Sequence, residues 1–271
     1  MTGPSQSTSQ PKRVWITGAG KGIGRALALA YAQRGWHVAA SARTSADLVS
    51  LMEAAKNMSG KIDIFPLDIR ERERNHQIFA AIEKMIGPLD LVILNAGTHQ
   101  PMHAHDFSSD TVARLVDVNL MGTVHGLDAV LPAFRARHRG HVAVVSSVAG
   151  YRGLPSSAAY GATKAALINM CEALYPELAA EGVRLSLINP GFVDTPLTRK
   201  NDFPMPFLVT AEDAAAAIIH GLHKGKFEIV FPRKFSVFMQ ILRKLPNALL
   251  FAITRRMART EQQSLVETPA D

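Results

Sequence analysis

Near the start of this chain a short apolar strand runs straight into a glycine-rich turn, and the turn into a helix. Arg13-Val-Trp-Ile-Thr17 is the strand, Gly18-Ala-Gly-Lys-Gly22-Ile-Gly24 the turn, and Arg25 to Arg34 the helical run, closed by Gly35. Few architectures accept that order of pieces. Glycines allow a tight turn and a close approach of the backbone to a ligand, and the helix N-terminus offers free N–H groups and a positive dipole end to an anion. Together they form the setting for a dinucleotide pyrophosphate. The spacing is Gly-x3-Gly-x-Gly, and the commoner one is Gly-x-Gly-x2-Gly. A glycine-rich turn that binds nothing is the plain alternative, and the flanking strand and helix weigh against it.

Strand and helix then keep alternating. Strands are expected at His37–Ala42, Ile62–Leu67, Asp90–Leu94, Val142–Val145, Val183–Ile188 and Phe227–Phe231. Helices are expected at Ser45–Asn57, Arg70–Met85, Ser109–Arg137, Ala158–Ala180 and Thr210–His220. Leu91-Val-Ile-Leu94 is apolar without a break, as suits a strand buried on both faces. Thr210-Ala-Glu-Asp213 reads as a capping-box start with Asp in the place of Glu or Gln. Repeated βα units give a parallel sheet of about seven strands covered by helices on both faces. With 271 residues and 47% hydrophobic content the chain can fill one large α/β core. Residues 11–232 are assigned to that domain. Residues 1–10, rich in Ser, Thr and Gln and without an apolar core, read as a disordered lead-in and not as a signal peptide. Residues 233–271 read as a basic amphipathic extension.

Tyr160-Gly-Ala-Thr-Lys164 places a phenol and an ammonium four residues apart at the head of a helical run, so both side chains share one face. An ammonium beside a phenol favours the phenolate and is expected to lower its pKa from a reference near ~10. Tyr160 is thereby a candidate proton donor and acceptor. Ser147 lies thirteen residues upstream of it, in Ser146-Ser-Val-Ala-Gly150 after an apolar strand. Ser146 is the neighbouring alternative, and its side chain points to the opposite side if the strand continues.

In these motifs the chain resembles the short-chain dehydrogenase/reductase family, in its main branch with TGxxxGxG and YxxxK. The resemblance rests on Thr17 to Gly24, Asn95-Ala-Gly97, Asn119, Ser147, Tyr160-x3-Lys164 and Pro190-Gly191, and spans about residues 12–231. It implies a Rossmann-like doubly wound parallel sheet in the order 3-2-1-4-5-6-7. It implies a nicotinamide-dependent interconversion of a carbonyl and a secondary alcohol, with Ser147 and Tyr160 bonded to the substrate oxygen. Lys164 would also bind the nicotinamide ribose, and Asn119 would hold a water linking Lys164 to solvent. Thr17, Gly18, Gly20, Gly22, Ile23 and Gly24 would form the pyrophosphate turn. Asp68 would meet the adenine amino group with Ile69 beside it, although Asp68 also suits a helix N-cap. Asn95, Ala96 and Gly97 would line the adenosine ribose, Pro190, Gly191 and Val193 the nicotinamide, and Thr195 the carboxamide. Enoyl-reducing relatives of this fold carry a longer Tyr–Lys gap, so carbonyl chemistry is favoured. A homodimer or homotetramer through the helices of Ser109–Arg137 and Ala158–Ala180 is implied too. The competing reading is a non-catalytic NADP(H)-binding sensor or membrane-surface scaffold, types that usually lose the Tyr or Lys retained here.

Charge speaks to the choice of cofactor. An acid ending the second strand of this fold binds the adenosine ribose and repels a 2′-phosphate. Here that stretch is Ala40-Ser-Ala-Arg-Thr44, with no acid. Arg43 there and Lys21 in the turn favour NADP(H) over NAD(H), with Ser41 and Thr44 as hydroxyl contacts.

The remaining features are less specific. Cys171 is the only cysteine, so no intramolecular disulfide forms, which suits a reducing cytoplasmic compartment. No segment reaches the ~18 consecutive apolar residues of a spanning helix. The loop Thr195–Val209, with Phe203, Pro204 and Phe207, is expected to be a lid over an apolar, lipid-like substrate or a surface loop packed on the tail. His99, His103 and His105 lie in a loop with no carboxylate or cysteine spacing for a metal, so no metal site is expected. The net charge is +7 and no nucleic-acid motif is present. Residues 233–258 join apolar stretches to Arg/Lys clusters. They read as a cover over the substrate cleft, as packing or subunit contact, or as peripheral membrane contact.

Overall fold

The computed structural model of the protein describes residues 11–200 and 205–266. The expected lead-in, and Phe203 and Pro204 of the expected lid, lie outside the described residues. Seven strands form one sheet: β1 (Arg13–Thr17), β2 (His37–Ser41), β3 (Lys61–Ile64), β4 (Leu91–Leu94), β5 (Gly140–Val145), β6 (Val183–Pro190) and β7 (Glu228–Phe231). Their order is β3-β2-β1-β4-β5-β6-β7, as the resemblance implied, and every pairing is parallel. The helices are α1 (Gly22–Gln33), α2 (Ser45–Ala54), α3 (Arg72–Ile86), α4 (Ser109–Leu115), α5 (Gly122–Ala136), α6 (Ala158–Ala180), α7 (Ala211–His223), α8 (Arg233–Lys244) and α9 (Asn247–Val266).

Strand alternation feeds two cores, one on each face of the sheet. Trp15, Val92, Leu94, Val142 and Val144 point to one side, where Phe79 of α3, Phe134 of α5 and Leu167 of α6 close over them. Val14, Ile16, Leu91, Ile93 and Val145 point to the other, under Leu27 of α1, Leu48 of α2 and Ile218 of α7. Each such side chain, fully buried, contributes about 1.5–3 kcal/mol. Because β4 and β5 are covered on both faces, every one of their residues is buried.

Three boundaries differ from expectation for local reasons. The strand expected to reach Leu67 ends at Ile64, because Pro66 has no N–H for the ladder. Phe65 and Leu67 still donate to Ala40 O and Ala42 O, at 2.9 and 3.0 Å. The helix expected from Arg70 starts at Arg72, after a turn in which Asp68 accepts from Arg70 N. The long helix expected over 109–137 is interrupted by a π-helical stretch, Val116–Met121, which contains Asn119. The capping reading at Thr210 holds: its hydroxyl accepts from Asp213 N at 3.0 Å.

Strand order reverses direction between β1 and β4. In an open α/β sheet a crevice opens there, beyond the carboxyl ends of the strands. The C-terminal segment packs against the same body. Phe235 and Met239 of α8 enter the core that holds Trp15, Arg152 donates to Leu245 O, and Arg243 bonds Glu172 of α6 at 3.2 Å.

Candidate active site

A cleft of about 540 Å³ occupies that crevice. Its floor is the glycine turn. Gly18 has φ +68°, and a Cβ there would stand 2.8 Å from Ala96 Cα. A Cβ on Gly24 would stand 2.3 Å from Gly18 O. Thr17 Oγ1 accepts from the N–H of Asn95 and of Ala96, at 3.1 and 3.2 Å, and Asn95 Nδ2 donates to Thr17 O at 3.0 Å. Thr17 and Gly24 therefore hold the turn against the end of β4. Gly18, Gly20, Lys21, Gly22, Ile23, Asn95, Ala96 and Gly97 line the cleft itself. Helix α1 starts at Gly22 with no acid in its first turn and no side-chain cap, so its leading N–H groups suit an anion. Bare backbone, close approach and an uncapped helix start fit a pyrophosphate.

The adenosine end is more charged than the sequence suggested. Arg43, Thr44, Asp68, Ile69 and Arg70 line it. The Arg70 guanidinium grips Asp68 (Nη2 to Oδ2 2.7 Å) and, against partial burial and with help from Arg43, holds that carboxyl below the usual range. Glu71 precedes α3, so Asp68 is not its cap. Two expectations change here. Ser41 is 1% exposed and its hydroxyl accepts from Trp15 Nε1 at 2.9 Å, because strand alternation turns it into the sheet and away from the cleft. Lys21 pairs with Asp47 at 3.3 Å, so an acid does stand at this end. It comes from the first turn of α2, which brings Asp47 back over Gly20.

At the other end α6 presents Tyr160 and Lys164 to one place. Lys164 Nζ lies 5.7 Å from the centre of the Tyr160 ring and donates to Val145 O at 3.0 Å. Burial brings the amine down to about 8. Burial likewise pushes the Tyr160 phenol up to about 12, opposed by a hydrogen bond with Ser147. The sequence reading expected the ammonium to lower the phenol's pKa. In the folded site desolvation dominates, and what opposes it is the hydrogen bond with Ser147 rather than the ammonium. Tyr160 is thus held as the neutral phenol, a proton donor. Ser147 Oγ accepts from Ala149 N at 3.1 Å and lies 3.4 Å from Pro190 O. Ser146 faces the opposite way and donates to Lys164 O at 2.9 Å.

Asn119 is fully buried and does not line the cleft. Its Oδ1 accepts from Thr98 N at 2.7 Å, and its Nδ2 donates to Thr98 O at 2.9 Å and Thr163 Oγ1 at 3.2 Å. The π stretch turns this amide inward to tie the strand β4 exit to α6. Its side chain is committed to Thr98 and Thr163.

Pro190, Gly191, Val193 and Thr195 line the same end of the cleft, with Pro196 and Leu197 of the expected lid and with Thr198, which sequence reasoning did not single out. Thr195 Oγ1 lies 3.3 Å from Thr198 Oγ1. A bridge between Val193 and Val209 joins the two ends of the expected lid. Phe207 of that loop sits 6.5 Å from Phe235 of α8, and Phe235 sits 5.2 Å from Phe192. His99 meets the Tyr160 ring edge-on at 4.7 Å, while His103 stacks on His105 at 5.4 Å. Among the described residues no His, Cys, Asp and Glu side chains gather into a metal-binding group.

A family model described as short chain dehydrogenase matches residues 12–204. The chain belongs to the short-chain dehydrogenase family. As a member it is an oxidoreductase, and its relatives carry that description. An uncharacterized oxidoreductase of Myxococcus xanthus is 38% identical over 242 residues, covering 89% of this chain and 96% of that protein. One from Listeria monocytogenes is 35% identical over 192 residues, covering 70% and 77% respectively. Among solved structures, the alcohol dehydrogenase from the archaeon Thermococcus sibiricus complexed with 5-hydroxy-NADP aligns with a TM-score of 0.73 over 81% of this chain and 95% of that one. Its sequence identity is 24%, so the likeness concerns the fold of this short-chain dehydrogenase.

Proposed function

We propose that this short-chain dehydrogenase is an NADP(H)-dependent enzyme that interconverts a carbonyl and a secondary alcohol on an apolar, lipid-like substrate. The observation that carries the reading is the convergence of Tyr160, Ser147 and Lys164 at one end of a single cleft whose other end is the glycine cradle. A bound nicotinamide supplies or takes the hydride. In reduction the substrate oxygen sits between Ser147 Oγ and Tyr160 OH. Both donate hydrogen bonds that strengthen as the oxygen gains negative charge, which is selective stabilisation of the transition state. Tyr160 then gives its proton to that oxygen. A phenol held at about 12 is neutral at pH 7 and already carries the proton it must give. Lys164 places a cation at the nicotinamide end below about pH 8, and Asn119 holds the loop and helix that frame it.

For the nucleotide, Arg43 is an exposed cation at the adenosine end, where Arg70 and Lys21 are held by Asp68 and Asp47, and the family neighbour complexed with an NADP derivative is consistent with this preference. Asp47 moderates it by neutralising Lys21. Apolar substrate character rests on Pro196, Leu197 and Val193 in the cleft and on exposed Phe207 and Leu208 nearby. The same reading includes a homodimer or homotetramer and a cytoplasmic setting. An NADPH-oxidation screen over aldehydes, ketosteroids, 3-ketoacyl esters and quinones tests the activity. Turnover with at least one class is expected and lost in Tyr160→Phe. Tight NADPH binding with no turnover across the panel favours a sensor instead.

A further inference from the structure

The whole net charge of this chain sits in one segment. Residues 233–260 hold seven Arg and Lys and no Asp or Glu, whereas the rest of the chain holds 23 residues of each sign and is neutral. The segment is α8 and most of α9. Phe235, Met239, Leu242 and Leu250 turn inward and are buried. Val237, Phe238 and Ile241 of α8 fall together on its outer side, and with Leu249 and Phe251 of α9 they are 49–57% exposed. Arg243, Lys244, Arg255 and Arg256 are exposed among them. Three large apolar side chains on the outer side of α8, with further exposed apolar side chains on α9, stand in a field of one sign and call for a partner.

We propose that α8 and α9 dock this protein on the surface of an anionic lipid bilayer, with Val237, Phe238, Ile241 and Phe251 in the acyl boundary and the cations among the headgroups. Charge decides between occupants. A second copy meeting this face would bring two purely basic segments together, with no acid in either to relieve the repulsion. A nucleic acid would satisfy the cations and leave the apolar side chains in water. An anionic bilayer satisfies both. Docking also sets the cleft close to the membrane, because Phe235 of α8 packs beside Phe192 and Gly191 at the cleft wall. The docking itself does not depend on the oxidoreductase reading.

Flotation of the full chain with vesicles tests it. The protein should float with phosphatidylcholine vesicles containing phosphatidylglycerol, stay behind with phosphatidylcholine alone, and bind less as salt rises. Lys244→Glu and Arg255→Glu should each weaken partitioning at least about fivefold, the loss of one cation near an anionic surface. The pair Phe238→Ser and Phe251→Ser should weaken it too, with an unchanged melting curve, sedimentation coefficient and NADPH titration by fluorescence. Failure to float with anionic vesicles overturns the proposal, and so does equal flotation with neutral ones. A sedimentation coefficient shifted by the phenylalanine pair makes the face a contact between copies and overturns it as well. NADPH binding is read separately, so a failed docking leaves the proposed chemistry standing.

Discussion

Replacing Lys164 by methionine should separate the stability of this fold from its chemistry. The lysine is 4% exposed, and burial brings its amine from 10.5 to about 8. Keeping the ammonium in that site at pH 7 therefore costs about 3 kcal/mol. Methionine retains the unbranched apolar stem and removes the charge. It also removes the 3.0 Å bond to Val145 O, whose loss costs about 1–2 kcal/mol. The variant should thus be about 1–2 kcal/mol more stable at pH 7, a rise in Tm of about 2–8 °C for a domain of this size. As pH rises the gap narrows and then changes sign, because the charge penalty disappears while the lost bond to Val145 O remains. Between about 8 and 10.5 the unfolded chain binds the proton and the folded one does not, so the wild type gains stability as pH rises through that window. The advantage of methionine is complete below pH 8 and gone between about pH 9 and 10, and above pH 10.5 the variant is the less stable by about 1–2 kcal/mol. Urea titrations of both proteins at pH 7 and pH 10, with turnover measured at pH 7, would show it. A variant less stable at pH 7, or a gap independent of pH, would refute the reasoning.

Ser147→Ala should lower kcat by about 10²–10³-fold, the loss of one oxyanion donor, with little change in NADPH affinity by fluorescence. Arg43→Ala should weaken NADPH at least about tenfold and leave NADH nearly unchanged, since one charge-assisted contact to the 2′-phosphate goes. Equal loss for both nucleotides would remove Arg43 from that role. Gly24→Ala should unfold or open the turn, because its Cβ would stand 2.3 Å from Gly18 O. Lost NADPH binding together with a lower Tm is the expected readout.

Much of this architecture was legible because its signals are local. The run Ala158–Ala180 is helical from end to end, and the four-residue spacing alone sets Tyr160 and Lys164 on one face. Parallel pairing follows from strand–helix alternation, and continuous apolar runs such as Leu91–Leu94 mark the buried centre. What was not legible depends on the third dimension. Asp47 is far from Lys21 in sequence and meets it only because α2 folds back over the glycine turn. Ser41 ends its strand in register with Thr17, and alternation sends its hydroxyl into the sheet to Trp15. The direction of the Tyr160 shift required knowing how deeply the phenol is buried, which no spacing reveals. Asn119 falls inside a run that reads as one long helix, and the π stretch that holds it depends on its contacts with Thr98 and Thr163, far away in sequence.

The most direct test is hydride transfer from NADPH deuterated at C4 to a carbonyl found in the screen, run with wild type and Tyr160→Phe. Wild type should place deuterium on the carbinol carbon. The variant should bind NADPH with nearly the same Kd while kcat falls by about 10²–10⁴-fold, the contribution of a positioned general acid. Near-normal kcat in Tyr160→Phe would contradict the role of Tyr160 as the proton donor.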